Sequence, residues 1–138
     1  MTEEAKPLPI RGLRHLALRV TDLSKSRAFY QTLLGMKVVW EPDPQNLYLS
    51  SGSDNLALHQ IPAGESIRQG EGQFLDHFGF IAESEEGVDE IAGKMKEAGV
   101  PILKPVKRHR DGSYSFYMTD PDGNAIQILY EPHLSPQR

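Results

Sequence analysis

The sequence predicts an α+β fold made of two βαβββ modules that pair their sheets around a cavity. The first observation is an internal repeat, in which residues recur at matching places with offsets of 62, 64 and 70 positions: His15 and His77, Gly35 and Gly99, and Pro62 and Pro132. The second is that each repeat contains the patterns of a strand, a helix and three further strands. Because one such module leaves a sheet face bare, pairing two sheets is the expected way to cover it.

The first module begins with a segment in which apolar and polar side chains alternate, as in a half-buried strand. N-cap residues at positions 21–24 precede a helical segment that Gly35 ends. Pro42 and Pro44 end the next strand, and the turn-rich residues 51–54 separate the last two. The predicted elements are strands over residues 13–20, 36–40, 47–50 and 56–61 and a helix over residues 24–34.

The second module repeats this order after a polar, glycine-bearing linker at residues 62–73. Ser84 is the predicted N-cap of its helix, and Gly99 ends that helix. Pro101 and Pro105 place the following strand at a sheet edge or in a bulge. The predicted elements are strands over residues 74–82, 100–106, 114–119 and 125–131, a helix over residues 84–98, a basic loop over residues 107–112 and a tight turn over residues 120–124.

Length and composition indicate a single domain over residues 1–138, with modules over about residues 12–62 and 74–132. The net charge of −4 favours neither nucleic acid nor an anionic membrane as a partner. No apolar run approaches the ~20 residues of a membrane-spanning helix, and residues 1–9 lack the apolar core of a signal peptide. The absence of cysteine excludes disulfides and thiolate ligands. We therefore expect a cytoplasmic protein that takes a small-molecule substrate.

Histidines occupy the same place in the first strand of both modules, on the face opposite the apolar side chains. These residues are His15 and His77, and His59 and Gln127 lie on the corresponding face of the last strand of each module. Two neutral imidazoles with an oxygen ligand suit a divalent ion such as Zn, Ni, Fe, Co or Mn. The alternative is that the histidines make structural hydrogen bonds. His109 lies among basic residues and is expected to be solvated.

Four stretches of the sequence together resemble the vicinal oxygen chelate superfamily, which includes glyoxalase I, fosfomycin-resistance thiol transferases, extradiol dioxygenases, methylmalonyl-CoA epimerase and bleomycin-resistance proteins. The stretches are LRHLALRVTDL at residues 13–23, SRAFY through LGM at residues 26–36, DHFGF at residues 76–80 and SFYMTDPDGNAIQ at residues 115–127. The resemblance covers roughly residues 12–132. It is specific for the superfamily, but it specifies neither the reaction nor the substrate, because the fold hosts many of both.

The resemblance implies a metal site and a homodimer. The family's metal histidines correspond to His15 and His77, and its metal glutamate corresponds to Gln127. A glutamine oxygen is a weaker ligand than a carboxylate and cannot act as a general base. The first-half glutamate of the glyoxalases corresponds to Ala57 or a residue close to it, and His59 is a fourth candidate ligand. Family members often pair through sheet edges, which is the reason to expect a dimer.

The resemblance also implies a binding place for an anionic group. The run DGSYSFY at residues 111–117 is most similar to the fosfomycin-resistance enzymes, in which Lys107 and Tyr117 match oxyanion-binding positions. Ala17 stands where those enzymes carry a threonine, and Asp111 stands near a phosphonate-binding serine. Because a carboxylate repels a phosphonate, the sequence does not favour fosfomycin as the substrate.

Functions of different kinds are consistent with this sequence. The first is a metal-dependent lyase, thiol transferase or dioxygenase that acts on a small oxygen-bearing substrate, with the ion as a Lewis acid. The alternative is a metal-free protein of the bleomycin-resistance type that sequesters a ligand in the same cavity. Gln127 favours the alternative, whereas the paired histidines oppose it. A third interpretation is a family member with only a regulatory or interaction role.

Overall fold

The computed structural model describes residues 8–67 and 74–135 of the chain. These residues form two compact units that divide between Ser66 and Ile67, and each unit contains one four-stranded mixed sheet. In each unit a strand is followed by a helix and then by three strands. The prediction of an α+β fold with two βαβββ modules is therefore confirmed.

Unit 1 contains the elements β1 (His15–Val20), α1 (Leu23–Arg27), β2 (Lys37–Asp43), β3 (Asn46–Ser50) and β4 (Asn55–Gln60), with the π-helical residues Ala28–Leu33 continuing α1. Its strands lie in the order β1-β4-β3-β2. The β1–β4 pair is parallel and the other two pairs are antiparallel. The first and second strands along the chain are therefore the two edges of this sheet.

Asp22 begins the helix of unit 1. Its carboxylate accepts hydrogen bonds from the backbone amides of Ser24 and Lys25 at 3.0 and 3.4 Å, as an N-cap residue does. The helix ends before Gly35, whose φ of 79° is a conformation that side chains disfavour. The helix predicted over residues 24–34 is confirmed, although its second half is π-helical rather than α-helical.

Strand β2 is longer than the sequence predicts. Pro42 was expected to end it near Trp40, but the strand continues to Asp43. Only one side of an edge strand is hydrogen-bonded, so a proline without an N–H is tolerated there. The pairing with β3 also shifts register between Trp40 and Asp43, around the proline.

Unit 2 contains the elements β5 (Phe78–Ile81), α2 (Glu85–Glu97), β6 (Ile102–Arg108), β7 (Tyr114–Thr119) and β8 (Ala125–Tyr130), in the sheet order β5-β8-β7-β6. Ser84 is the N-cap of α2, and its hydroxyl accepts from the Gly87 amide at 2.9 Å. Strand β5 is shorter than the predicted residues 74–82, and the predicted linker extends into residues 68–73, which lie outside the described part of the chain. In the described residues no helix has the length and hydrophobicity that crossing a membrane requires.

Strand β6 corrects the prediction of a loop over residues 107–112. Lys107 and Arg108 belong to the strand, because they pair with Ser115 and Tyr114 of β7. Arg108 is also held by an ion pair with Glu85 of α2. The expectation that the prolines place this strand at an edge is confirmed, and the pairing shifts register at two points.

Each sheet has one apolar face. The buried side chains on these faces are Leu18, Val20, Leu47, Leu49, Leu56 and Leu58 in unit 1, and Phe116, Met118, Ile126 and Ile128 in unit 2. Side chains alternate along a strand, so the intervening residues form the opposite face, which we call the polar face. It carries His15, Ala17, Arg19, Asn46, Tyr48, Ala57 and His59 in unit 1, and Gly79, Lys104, Ser115, Tyr117 and Gln127 in unit 2, with His77 just before β5.

Candidate functional site

The two predicted metal histidines hold equivalent places in the two sheets. In unit 1, Ala17, which is two positions after His15, lies opposite Ala57 across the parallel β1–β4 pair. In unit 2, Gly79, which is two positions after His77, lies opposite Gln127 across the parallel β5–β8 pair. The strand register therefore reproduces the sequence repeat, with His15 matching His77 and Ala57 matching Gln127.

In both histidines Nδ1 makes a hydrogen bond, and Nε2 makes none to the described residues. His15 Nδ1 donates to Asn55 Oδ1 at 2.8 Å, and His77 Nδ1 donates to Asp76 Oδ2 at 2.6 Å. A proton on Nδ1 leaves a lone pair on Nε2 of the neutral ring. Neither Nε2 atom has a hydrogen-bond partner within residues 8–67 and 74–135. Metal-binding histidines are typically oriented in this way, by an acceptor on the second nitrogen.

Tyr117 lies at the centre of the polar face of unit 2. It is directly opposite Gln127 in the β7–β8 pair, and the His77 ring meets its ring edge-on with centroids 5.2 Å apart. Lys104 Nζ lies 5.0 Å from the Tyr117 ring centroid, a cation–π contact. The structure thus brings the predicted residues His77, Gln127 and Tyr117 together. Lys104 was not among the predicted site residues, because its position relative to Tyr117 depends on the β6–β7 register and not on a local pattern.

A buried serine links Gln127 to a histidine that was expected to be solvated. The Ser115 side chain is only 1% exposed. Its Oγ accepts a hydrogen bond from Gln127 Nε2 at 3.0 Å and lies 2.9 Å from His109 Nε2. His109 is half-buried rather than solvated, which corrects the prediction. The sequence signal for it was weak, because the run of basic neighbours is typical of an exposed loop.

Gly79 leaves room beside Gln127. A Cβ at this position would lie 2.9 Å from the Gln127 backbone oxygen and 3.2 Å from Leu129 Cδ2. Both distances are shorter than ordinary van der Waals separations. The absence of a side chain here lets β5 approach the strand that carries the glutamine.

His59 lies at the other end of the polar face of unit 1 from His15. It is four residues beyond the partner of His15 along β4, or about 13 Å at ~3.3 Å per residue, so the structure does not bring the two rings together. His59 Nδ1 donates to Asn46 Oδ1 at 2.5 Å, and Asn46 Nδ2 donates to both oxygens of Asp43. The Asn46 hydrogen bond is the main cause that lowers the pKa of the Asp43 carboxyl.

Lys107 lies opposite Ser115 in the β6–β7 pair, and its side chain is exposed. In the following turn Asp111 accepts hydrogen bonds from the hydroxyl and the backbone amide of Ser113, at 2.7 and 2.9 Å. These bonds lower the pKa of the Asp111 carboxyl, the hydroxyl most strongly. The turn beside Lys107 therefore carries a negative charge at neutral pH.

A cavity of about 410 Å³ lies in unit 1, and it contains none of the predicted site residues. It is lined by Leu23, Ser24, Arg27, Glu41, Asp43 and Pro44. Two of these lining residues, Arg27 and Glu41, form an ion pair with each other. Its charged groups are thus partly neutralised.

The donor chemistry of the predicted residues fits a divalent metal ion. Each unit presents an imidazole with a free Nε2 lone pair, and unit 2 adds the Gln127 amide oxygen. Imidazole and oxygen donors suit borderline divalent ions. Within each unit, the described residues contain no group of three His, Cys, Asp or Glu side chains placed to hold a metal.

Comparison with known proteins gives a consistent result. Residues 12–128 match the family model of the Glyoxalase/Bleomycin resistance protein/Dioxygenase superfamily. Glutathione transferase FosA from Serratia marcescens is 30% identical over 121 residues, covering 86% of this chain and 80% of that protein. Metallothiol transferase FosB from Staphylococcus saprophyticus is 32% identical over 122 residues, covering 86% of this chain and 76% of that protein.

A solved structure shows the same architecture. Lactoylglutathione lyase from Agrobacterium tumefaciens superposes with a TM-score of 0.73 at 26% identity, covering 94% of this chain and 100% of that one. The family match spans both units and includes His15, His77 and Gln127. The chain therefore belongs to the glyoxalase/bleomycin resistance protein/dioxygenase superfamily.

Proposed function

We propose that this protein is a metal-dependent enzyme acting on a small oxygen-bearing substrate, and that His15, His77 and Gln127 supply donors to a divalent ion. The observation that carries the proposal is the state of the two repeat-related histidines. Each has Nδ1 bonded to an oxygen acceptor and Nε2 without a partner in the described part of the chain. A histidine with a purely structural role does not require this arrangement at both repeat positions.

Each donor has a definite task in this proposal. Asn55 and Asp76 hold the protons on Nδ1 of the two histidines, so that the Nε2 lone pairs remain available. The hydrogen bond from Gln127 Nε2 to Ser115 turns the amide oxygen away from the serine. A bound divalent ion supplies Lewis-acid polarisation of a substrate oxygen. Since an amide does not titrate, Gln127 can hold and orient but cannot transfer a proton.

Tyr117 and Lys107 are the residues proposed to bind an anionic part of the substrate. Tyr117 shares the polar face with Gln127 and has Lys104 Nζ above its ring. Lys107 lies three residues further along β6 than Lys104, opposite Ser115. Two ammonium groups on one face favour an anion there, whereas the ionised Asp111 nearby disfavours a highly charged phosphonate.

The relatives belong to several reaction classes. FosA is named a glutathione transferase, FosB a metallothiol transferase and the structural match a lactoylglutathione lyase. A further relative, 31% identical over 123 residues but covered over only 40% of its length, is a 2,2',3-trihydroxybiphenyl dioxygenase from Sphingomonas paucimobilis. Iron-dependent dioxygenation commonly uses two histidines and a carboxylate, and the third position here is Gln127. We therefore favour a transferase or lyase over a dioxygenase.

Metal-free sequestration of a ligand is the second candidate function, and Gln127 is the observation that favours it. A neutral amide that already hydrogen-bonds Ser115 can serve a binding surface without any ion. The superfamily includes bleomycin resistance proteins. Metal binding distinguishes the two candidates directly.

The test is metal content by elemental analysis of protein purified without an affinity tag. We expect about one equivalent of metal per chain in the wild type, and its loss in the His15→Ala, His77→Ala double variant. His133→Ala is the matched control, because it removes an exposed histidine outside the sheets and should leave the metal content unchanged. Size-exclusion chromatography with light scattering on the same samples tests the predicted homodimer.

Two results decide between the candidates. Metal in the wild type and in the His133 variant, lost in the double variant, supports the enzyme. No metal as purified, and no uptake of Zn²⁺, Ni²⁺, Mn²⁺ or Fe²⁺ by calorimetry, would refute it in favour of the sequestering protein. A folded double variant, checked by circular dichroism, makes the loss attributable to the ligands.

A further inference from the structure

The hydroxyl of Ser115 is a polar group in an unusual place. It lies on the face that carries the candidate site, yet Ser115 is only 1% exposed. A buried hydroxyl is costly unless it is hydrogen-bonded. Two atoms satisfy it, Gln127 Nε2 at 3.0 Å and His109 Nε2 at 2.9 Å. Ser115 makes no other side-chain hydrogen bond to the described residues.

With the Gln127 amide nitrogen facing Ser115 Oγ, the direction of each hydrogen bond in the series Gln127–Ser115–His109 follows. The Gln127 amide nitrogen can only donate, so Ser115 Oγ accepts there. The single hydroxyl proton of Ser115 must then point to His109 Nε2, which is its other neighbour. His109 Nε2 therefore acts as an acceptor, and the neutral ring carries its proton on Nδ1.

The orientation of the Gln127 carboxamide and the hydrogen-bonding role of His109 are coupled through Ser115. If the carboxamide turned over, Oε1 would face Ser115, the hydroxyl would donate to it, and His109 would have to donate instead. As long as His109 accepts, Oε1 points away from the serine and the amide nitrogen points towards it. Gln127 then offers an acceptor oxygen, and not an N–H donor, to whatever binds the polar face.

We propose that His109, acting through Ser115, is a positioning residue that holds Gln127 Oε1 in the orientation of a ligand. This inference deepens the proposed function and rests on it for the identity of the ligand, which is a divalent cation. It assigns a role to a histidine whose basic neighbours in the sequence predict a solvated side chain. Neither His109 nor Ser115 contacts the metal or the substrate in this scheme.

The backbone around His109 is suited to such a role. Its amide donates to the Ser113 carbonyl at 2.8 Å, and its carbonyl accepts from the Gly112 amide at 3.0 Å, so the turn holds the residue on both sides. The ionised Asp111 is anchored to Ser113 rather than to the imidazole. The His109 ring is therefore left to meet Ser115.

The experiment reads the Gln127 carboxamide by ¹H–¹⁵N NMR in protein without added metal, with the resonance pair assigned by its loss in Gln127→Glu. His109→Phe removes the Nε2 atom that accepts from Ser115, and Ser115→Ala removes the hydroxyl that accepts from Gln127. Each variant therefore interrupts the hydrogen-bond series Gln127–Ser115–His109 at a different atom. His109→Gln is the conservative rescue, because a glutamine side chain reaches about as far as imidazole Nε2 and can accept from the serine. Tyr114→Phe is the matched control, since it removes a hydroxyl of the same hairpin that donates to Asp89 and does not contact Gln127.

We expect the carboxamide resonances to move towards free-amide positions in His109→Phe and in Ser115→Ala, and to stay in place in His109→Gln and in Tyr114→Phe. A general loosening of the hairpin would move them in the Tyr114 variant as well and would overturn the proposal. Unchanged carboxamide resonances in both His109→Phe and Ser115→Ala would also overturn it. Using two such variants keeps the test decisive if one of them does not fold.

Calorimetric Zn²⁺ binding to the same variants separates this inference from the proposed function. Loss of one neutral hydrogen bond that orients a ligand should weaken Zn²⁺ binding by about 2- to 10-fold in His109→Phe and Ser115→Ala, with His109→Gln close to the wild type. Equal affinities in all variants would overturn the positioning role and leave the metal site intact. If the wild type binds no Zn²⁺ or other divalent ion, the proposed function fails, and the NMR result alone decides whether His109 orients Gln127.

Discussion

Gly79→Ala tests the close approach of β5 to the strand that carries Gln127. The added Cβ would lie 2.9 Å from the Gln127 backbone oxygen and 3.2 Å from Leu129 Cδ2. The first distance is about 0.4 Å shorter than the ~3.3 Å at which carbon and oxygen normally meet. The oxygen belongs to the backbone and cannot rotate away, so the two strands must separate.

The expected cost follows from two opposing effects. Overpacking of this kind destabilises by about 1–3 kcal/mol, whereas replacing glycine restricts the unfolded chain and recovers about 0.4–1 kcal/mol. With mid-range values of about 2 and about 0.7 kcal/mol for the two effects, the net loss in the free energy of unfolding is about 1.3 kcal/mol. In urea, this should lower the unfolding midpoint by about 0.5–1 M for an m-value of about 2 kcal/mol/M.

Gly93→Ala is the matched control, because it is the same substitution with the opposite expected sign. Gly93 lies inside α2, is exposed, and has no atom within 4 Å of where its Cβ would be. Alanine there should stabilise the helix by about 0.5–1 kcal/mol. Urea unfolding of both variants, followed by circular dichroism, gives the comparison.

The reasoning is refuted if Gly79→Ala is as stable as the wild type while Gly93→Ala shows its expected gain. Such a result would mean that β5 does not press on the Gln127 carbonyl. A further readout is the metal affinity of the Gly79 variant, which should fall because the strand carrying the glutamine is displaced.

The remaining predictions concern helix α2. Ser84→Ala removes the hydroxyl that accepts from the Gly87 amide. It should therefore lower the free energy of unfolding by about 0.5–2 kcal/mol. An equal loss in the turn variant Ser53→Ala would contradict the capping role. The Arg108 hydrogen bond holds the pKa of Glu85 below its ordinary 4.5, so its stabilisation is present above that pH and is lost as the pH falls through the lower, folded-state pKa. Unfolding measured from about pH 7 to about pH 2 should therefore show a smaller acid-side loss in Glu85→Gln than in the wild type, and parallel curves would contradict the coupling.

The modular architecture was predictable because it depends on local patterns. Alternation identified the strands, and the cap residues Ser84 and Gly35 marked where helices begin and end. The repeat placed His15 and His77 in equivalent positions without any knowledge of the sheets. These signals are read from neighbouring residues, so they survive in a single sequence.

The errors arose where pairing between distant strands overrides a local signal. Pro42 reads as a strand terminator, yet it is accommodated because its strand lies at a sheet edge. Lys107 and Arg108 read as a basic loop, yet backbone pairing with β7 extends the strand through them. His109 reads as solvated, yet the hairpin turns its ring onto a buried serine 6 residues away.

The sequence by itself determined the fold class, the internal repeat and the residue types available for chemistry, because periodicity and turn residues act over short distances. Only the tertiary structure decided which of those residues are neighbours. It separated His59 from His15 along one strand, placed Lys104 over Tyr117, and joined Gln127 to His109 through Ser115. The physical reason is that strand register and burial set the hydrogen-bond partners, and neither is encoded in the spacing of residues along the chain.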